Sequence, residues 1–305
     1  MTERKISIVI PNLHSRVLGE VLAAVTTQTH DCADSIDVWI VGQDRFGYAQ
    51  SNGQVHFIET PQPASPAQAR NLGAVAAPGD MLIFLDADCV PQPGWLTMMT
   101  SALTRWPEAG AISGSMLPDG DSFGAHCAQV ATFHEHLNLS RSGPRPTLAS
   151  FSLLVPRDVW QTLHGFDEQF KFAAAEDLDF SVRVALQGRP LYFEPRAAVR
   201  HISQRRGWRS LWRHAFRSGS QSIIVRCRYA DYYRTPAWMR SVWAWRILSP
   251  AIAVARSVQI YRINFSLLRY WRCAPSIVLS KLAWCWGAAS GLEQLPITAR
   301  HKGGA

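Results

Sequence analysis

Several familiar signals are missing from this 305-residue chain, and each absence removes a class. The six cysteines (Cys32, Cys89, Cys127, Cys227, Cys273 and Cys285) form no C-x-x-C pair, which argues for reduced thiols over a zinc site or a disulfide framework. No low-complexity tract and no repeat of 20–50 residues is present, so neither a disordered chain nor a solenoid is expected. The opening MTERKISIVIPN has an apolar stretch too short for a signal-peptide core, so export is not expected. Serines and histidines form no nucleophile–base motif. No apolar run reaches the ~20 residues of a spanning helix. ILSPAIAVA (247–255) ends at Arg256, and the window 274–292 carries Lys281 near its middle, where insertion costs about 2.5–3.5 kcal/mol.

Acids are nearly absent from the last third. Residues 1–195 carry 12 Lys/Arg against 21 Asp/Glu, whereas residues 196–305 carry 19 against 2 and hold eight of the twelve tryptophans. An acidic front and a basic, Trp-rich back imply two different jobs. Arginine interleaved with tryptophan fits an anionic membrane surface better than nucleic acid, and no nucleic-acid partner is expected.

What is present begins with an α/β pattern. Strands are expected at 6–10 (closed by Pro11-Asn12), 36–41, 55–58 and 81–85, with helices at 16–28 and 66–77 between them. Such alternation predicts a mostly parallel sheet whose ligands bind beyond the strand ends, where Pro11, Asp44 and Asp86 fall. Further strands are expected at 111–116, 151–156, 191–194 and 197–202, and helices near 126–139, 159–168 and 177–187. From 208 to 292 the chain reads as helical, interrupted by Pro236, Pro250 and Pro275.

Two acidic clusters carry the chemistry. In MLIFLDADCVPQPGWL, Asp86 and Asp88 stand one residue apart at a strand end, and strand alternation would put both on one side. An Asx turn is one reading; a divalent cation bridging to phosphate is the other, since carboxylate oxygens suit Mg2+ or Mn2+. In AEDLD, Asp177 opens a helix with Glu176 beside it and Asp179 four residues before Arg183, its expected partner. A carboxylate at that rim can accept a proton from a hydroxyl. His201 closes AAVRH, and imidazole is acceptable to Mn2+. His134-Glu135-His136 reads as solvated helix surface or an acceptor contact.

Taken in order, ISIVIPN, QARNLG, GDMLIFLDAD and LHGFDEQF…AEDLDFSVRVALQGRPLYFEPRAAVRH resemble family-2 glycosyltransferases of GT-A fold, over roughly residues 5–202. The resemblance implies a mostly parallel GT-A sheet flanked by helices; the basic, Trp-rich composition that follows it implies a helical C-terminal membrane-associating region. Together they divide the chain into a catalytic domain, 1–205 (nucleotide-sugar half 1–110, acceptor half 111–205), and a tail, 206–305. The resemblance implies that Asp88 and His201 ligate Mn2+ or Mg2+, with Asp86 reaching the ribose or the metal. Asp177 would be the base, Glu176 would shape the acceptor site, and Pro11, Arg70 and Asn71 would border the nucleotide. The family's acid after the second strand is replaced by Gly42-Gln43, leaving Asp44 as the base reader. Gln204-Arg205-Arg206-Gly207-Trp208 departs from the processive Q-x-x-R-W signature at Gly207, so transfer is read as non-processive.

In the tail, Trp208, Leu211, Trp212, Ala215 and Phe216 share one helical face beside Arg206, Arg209, Arg213 and Arg217. The expectation is a peripheral, monotopic enzyme on the cytoplasmic face of the membrane, docked through residues 206–292. It would move sugar from a nucleotide donor, with inversion, to a lipid-linked or glycan acceptor. Two alternatives stand beside it: a soluble-acceptor transferase whose tail makes a homo-oligomer, and a non-catalytic membrane- or nucleic-acid-binding module.

Overall fold

A computed structural model describes residues 4–30, 34–118, 120, 122–170, 172, 174–202 and 207–296. Cys32 and residues 203–206, including the first three positions of the processivity signature, lie outside them. The elements run β1 (Lys5–Leu13), α1 (Leu18–His30), β2 (Ser35–Gln43), β3 (Val55–Glu59), α2 (Pro66–Ala76) and β4 (Met81–Leu85). Next come β5 (Cys89–Pro91), α3 (Trp95–Arg105), β6 (Ala111–Met116), α4 (Phe123–Phe133), β7 (Gly143–Pro144) and β8 (Ser152–Pro156). The chain continues through α5 (Arg157–Thr162), α6 (Glu176–Leu186), β9 (Leu191–His201), α7 (Trp208–Arg228), α8 (Val242–Ile263) and α9 (Ala274–Gln294).

Two compact units result: Met1–Leu117 with Ser140–Ile202, and Pro118–Leu139 with Ser203–Ala305. The excursion 118–139, which the sequence pattern groups with the acceptor half, thus folds with the C-terminal helices.

In the first unit the sheet order is β3-β2-β1-β4-β8-β6-β9-β5, with β7 beside β9. The front strands β3, β2, β1 and β4 are parallel, as their intervening helices require, while β8 enters antiparallel to β4 and to β6. Val9, Leu82, Phe84, Val155 and Phe180 form the core. Pro11 does not close β1. Pairing to β4 ends at Val9, while pairing to β2 continues to Leu13, so proline rides where the ladder is one-sided. The two short strands expected at 191–202 are one. Gly114 faces Glu194 and Ser115 faces Ala198, so Pro195–Ala197 bulges out, and the Ser115 hydroxyl donates to Pro195 O (2.7 Å).

The second unit is helical. α7 and α9 meet backbone to backbone through glycines. A Cβ on Gly219 would lie 2.0 Å from Trp284 O, and on Gly287 1.9 Å from Phe216 O. On Gly291 it would lie 2.2 Å from Ser220 O. The apolar face expected at Trp208–Phe216 is partly committed to packing: Leu211 and Ala215 are buried, and Trp208 remains exposed. Pro250 does not interrupt α8 but sits inside it. It cannot donate to Arg246 O, and the Ser249 hydroxyl does so instead (2.9 Å). Pro275 opens α9 at its first turn, where its missing N–H is free of cost. His134 is not on a solvated surface. It is buried at the end of α4 with Nδ1 3.3 Å from Ala131 O, and burial, reinforced by Lys281, drives its pKa down to about 3. Among the described residues no helix is long and apolar enough to cross a membrane.

Candidate active site

The site gathers where β4 ends. Asp86 and Asp88 are brought together by a turn rather than by strand alternation. The Cys89 amide donates to Asp86 O (3.0 Å) before β5 begins. One ligand atom from each of Asp86, Asp88 and Cys89 lies within 4.8 Å of the others. β5 pairs antiparallel with β9 so that Cys89 faces His201, and this puts His201 Nε2 3.3 Å from Asp88 Oδ2. The Ile202 amide donating to Asp88 O (2.8 Å) fixes the turn to the strand end. Two carboxylates that remain partly exposed offer oxygens that suit a hard dication such as Mn2+ or Mg2+; the His201 imidazole reaches Asp88 but lies outside the Asp86–Asp88–Cys89 group. Cys89 is fully buried, with its thiol 3.8 Å from Asp88 Oδ1, and its soft sulfur matches such an ion poorly.

Arg70 ties this corner to the second acidic cluster. α2 starts with a reciprocal capping box: Ser65 Oγ accepts from the Gln68 amide and Gln68 Oε1 from the Ser65 amide. Pro66 follows at the first turn, so the register of the helix is set. That register sends Arg70 into the interior at 2% exposure. Its Nη2 donates to Asp86 Oδ1 (2.7 Å) and its Nη1 to Glu176 Oε1 (2.9 Å). Burial works against the guanidinium charge, but Asp86 and Glu176 outweigh it and raise the Arg70 pKa. For Glu176, burial dominates, the neighbouring Asp177 adds to it, and Arg70 only partly compensates, so its pKa rises to about 7. Within this coupled pair Arg70 stays charged, because Asp86 supplies a second anion, and Glu176 is the member whose proton is in play.

Asp177 stands in the acidic first turn of α6, half-exposed. Leu178 N donates to Oδ1 (2.8 Å) and Ser150 N to Oδ2 (3.4 Å). The next residue, Phe151, accepts from the Asp86 amide (3.1 Å), so one dipeptide touches both acidic clusters. Ala175, at the N-cap, has φ +72°, a strained backbone that turns the chain into α6. Asp179 takes Arg183 at 2.8 Å, the structural pairing expected.

Three of the expected site residues have partners within the protein. The Asn71 Nδ2 donates to Phe166 O and Glu168 Oε1 (both 2.9 Å) and Oδ1 accepts from Phe166 N (2.9 Å). Its amide braces the turn through Gly165, whose φ of +74° and closeness to Asn71 Oδ1 admit no side chain. Glu176 faces inward, buried against Arg70. Asp44 spends its oxygens on its own loop, accepting from Phe46 N (3.1 Å) and Ala49 N (2.7 Å). Gly42 explains the missing acid after β2. At φ +134° its Cβ would fall 1.9 Å from Asn12 O, so a carboxylate cannot occupy it. Pro11 is paired opposite Val41, partly exposed. Ser150 and Phe151 contribute backbone only and carried no sequence signal.

The sequence matches the family model described as "Glycosyltransferase like family 2" over residues 3–219. The pre-mycofactocin glycosyltransferase of Mycobacterium tuberculosis is 27% identical over 268 residues, spanning 81% of this chain and 54% of that protein. Polypeptide N-acetylgalactosaminyltransferase 11 of Xenopus tropicalis is 24% identical over 184 residues, 54% of this chain and 31% of that protein. The chain therefore spans about half the length, or less, of these relatives. A solved mannosyltransferase from Pyrobaculum calidifontis, in complex with GDP-Man and Mn2+, superposes with TM-score 0.65 at 16% identity, covering 96% of this chain and 88% of that one. GalNAc-T7 with UDP, GalNAc and Mn2+ superposes with TM-score 0.56 at 15% identity, covering 76% and 49%. At these identities the likeness is one of fold: a mixed α/β sheet flanked by helices.

Proposed function

This chain belongs to glycosyltransferase-like family 2, and from that premise we propose that it transfers a sugar from a nucleotide donor to an acceptor hydroxyl, with inversion and with a divalent ion. The observation that supports the reading is the pair of contacts Asp88–His201 (3.3 Å) and Asp86–Arg70–Glu176, the second of which joins a dication donor set through one buried guanidinium to Glu176, the residue before Asp177. Two structural neighbours were solved with Mn2+ and a nucleotide or nucleotide sugar, which supports the metal and the donor class.

Asp86, Asp88 and His201 would hold the ion, which when bound offsets the negative charge growing on the leaving nucleoside diphosphate. Arg70 fixes Asp86 in place, so the donor set needs no rearrangement to bind. Asp177 takes the acceptor hydroxyl's proton as that oxygen bonds to the anomeric carbon. The bond to the diphosphate oxygen breaks with its electron pair leaving on the nucleotide. A single base and no nucleophile on the opposite face give one displacement, hence inversion. Residues 1–110 would serve the donor and 111–205 the acceptor. The basic helices would hold the enzyme at the cytoplasmic leaflet, with a lipid-linked saccharide as the acceptor class. The test is donor turnover with Mn2+ or Mg2+ in the intact chain and in Asp88→Ala and Asp177→Asn; activity unchanged in both variants rejects the site.

A further inference from the structure

The buried face of α8 carries small residues at four-residue spacing, Ser249, Ala253 and Ser257, between Trp245 and Ile260. Ser249 and Ser257 return their hydroxyls to carbonyls of their own helix, Arg246 O (2.9 Å) and Ala253 O (2.7 Å). A second set of bulky apolar residues points the other way. Trp243 (68% exposed), Ile247 (72%), Val254 and Val258 lie at spacings of four, seven and four along one exposed stripe, about 22 Å long at 1.5 Å per residue. Pro250, Ala251 and Ala255 fill the gaps. A helix on an ordinary aqueous surface has the opposite polarity.

The charge around the stripe is strongly positive. Between residues 232 and 292 there are seven arginines, one lysine and no acid, and the nearby Glu293 is taken by Arg246 (2.7 Å). Arg262 lies one turn past Val258 in line with the stripe, and the following 3-10 segment, Phe265–Cys273, exposes Phe265, Leu268 and Trp271 beside exposed Arg269 and Arg272. A second copy docked through this same face would set arginine against arginine, with Glu293 already engaged by Arg246. An anionic lipid surface answers both features, since acyl chains accept the stripe and headgroups accept the guanidiniums.

We propose that the outer face of α8, continued by the exposed aromatic and leucine side chains of 265–271, is the surface that inserts into an anionic leaflet. α8 lies in the plane of the interface rather than across it. The inference rests on the membrane placement proposed above and narrows it from residues 206–292 to the outer face of α8 and the segment 265–271, because α7 is clasped to α9 by its glycines.

The test is sedimentation of the full chain with vesicles of phosphatidylcholine alone and of phosphatidylcholine mixed with phosphatidylglycerol. Wild type is expected to pellet with the mixed vesicles and to be released by salt. The triple variant Trp243→Ser/Ile247→Ser/Val254→Ser should bind at least about tenfold more weakly while keeping its unfolding temperature. Quenching of tryptophan fluorescence by brominated phosphatidylglycerol should fall in Trp243→Phe, a change that leaves the fold intact. Failure of wild type to pellet with either vesicle overturns the membrane placement as well as this surface. Wild-type pellets matched by equal pelleting of the triple variant overturn this surface alone. A triple variant that binds vesicles normally but sediments as a smaller species assigns the stripe to self-association and likewise overturns it.

Discussion

The guanidinium of Arg70 holds the carboxylate of Asp86 at 2.7 Å while being 2% exposed, and its other nitrogen holds Glu176. Removing one partner of such a buried set leaves charges without compensation. Arg70→Met is therefore expected to lower stability by about 3–5 kcal/mol, measured by urea denaturation. Adding Glu176→Gln to Arg70→Met should recover part of that loss; full additivity of the two changes would argue against the coupling.

Glu176 makes stability depend on pH in a definite direction. Its folded pKa, about 7, lies above the ordinary 4.5, so the folded chain keeps a proton that the unfolded chain has released. This contribution is fully present below pH 4.5 and is lost as pH rises through 7. Its size is at most about 3 kcal/mol. Urea midpoints recorded from pH 4.5 to 8 should fall across that window, and Glu176→Gln should flatten the fall.

The ion and the proton acceptor should separate in binding experiments. A panel of nucleoside diphosphates is expected to raise the unfolding temperature of wild type and of Asp177→Asn in the presence of Mn2+. Asp88→Ala should lose the metal-dependent part of the shift, and His201→Ala should weaken it. Turnover should fall by about 100-fold or more in Asp177→Asn without a matching loss of donor binding.

Gly165 and Asn71 should behave as one structural joint. Gly165→Ala places a methyl 2.4 Å from Asn71 Oδ1 at a backbone φ of +74°, for an expected loss of about 2–4 kcal/mol. Asn71→Ala leaves the Phe166 amide and carbonyl without their partner and should cost about 1–3 kcal/mol. Thermal unfolding checks both, and donor affinity in Asn71→Ala should change far less than stability does.

The fold was legible where apolar runs and breakers coincide: β4 and β6 occupy the residues that their sequence patterns mark. It was misread where proline is treated as a terminator without asking what it faces. Pro11 sits on a one-sided ladder and Pro250 has Ser249 to serve the orphaned carbonyl, facts that only neighbours reveal. The two acid clusters stood out because Asp86-x-Asp88 and Glu176-Asp177 are compact in sequence. The guanidinium joining them did not, since Arg70 is sixteen residues from Asp86 and 106 from Glu176. α8 gave little polarity signal: it is apolar on both faces, with Trp245 and Ile260 buried and Trp243 and Ile247 exposed, so only its neighbours reveal which face is inside.

The glycine seam between α7 and α9 carries a consequence for how this chain can diverge. Because Gly219, Gly287 and Gly291 each stand within about 2 Å of an opposing carbonyl once a methyl is added, these three positions tolerate no drift, whereas the outward stripe of α8 can exchange one greasy residue for another freely. Homologues of this unit should accordingly keep their glycines and shuffle their tryptophans.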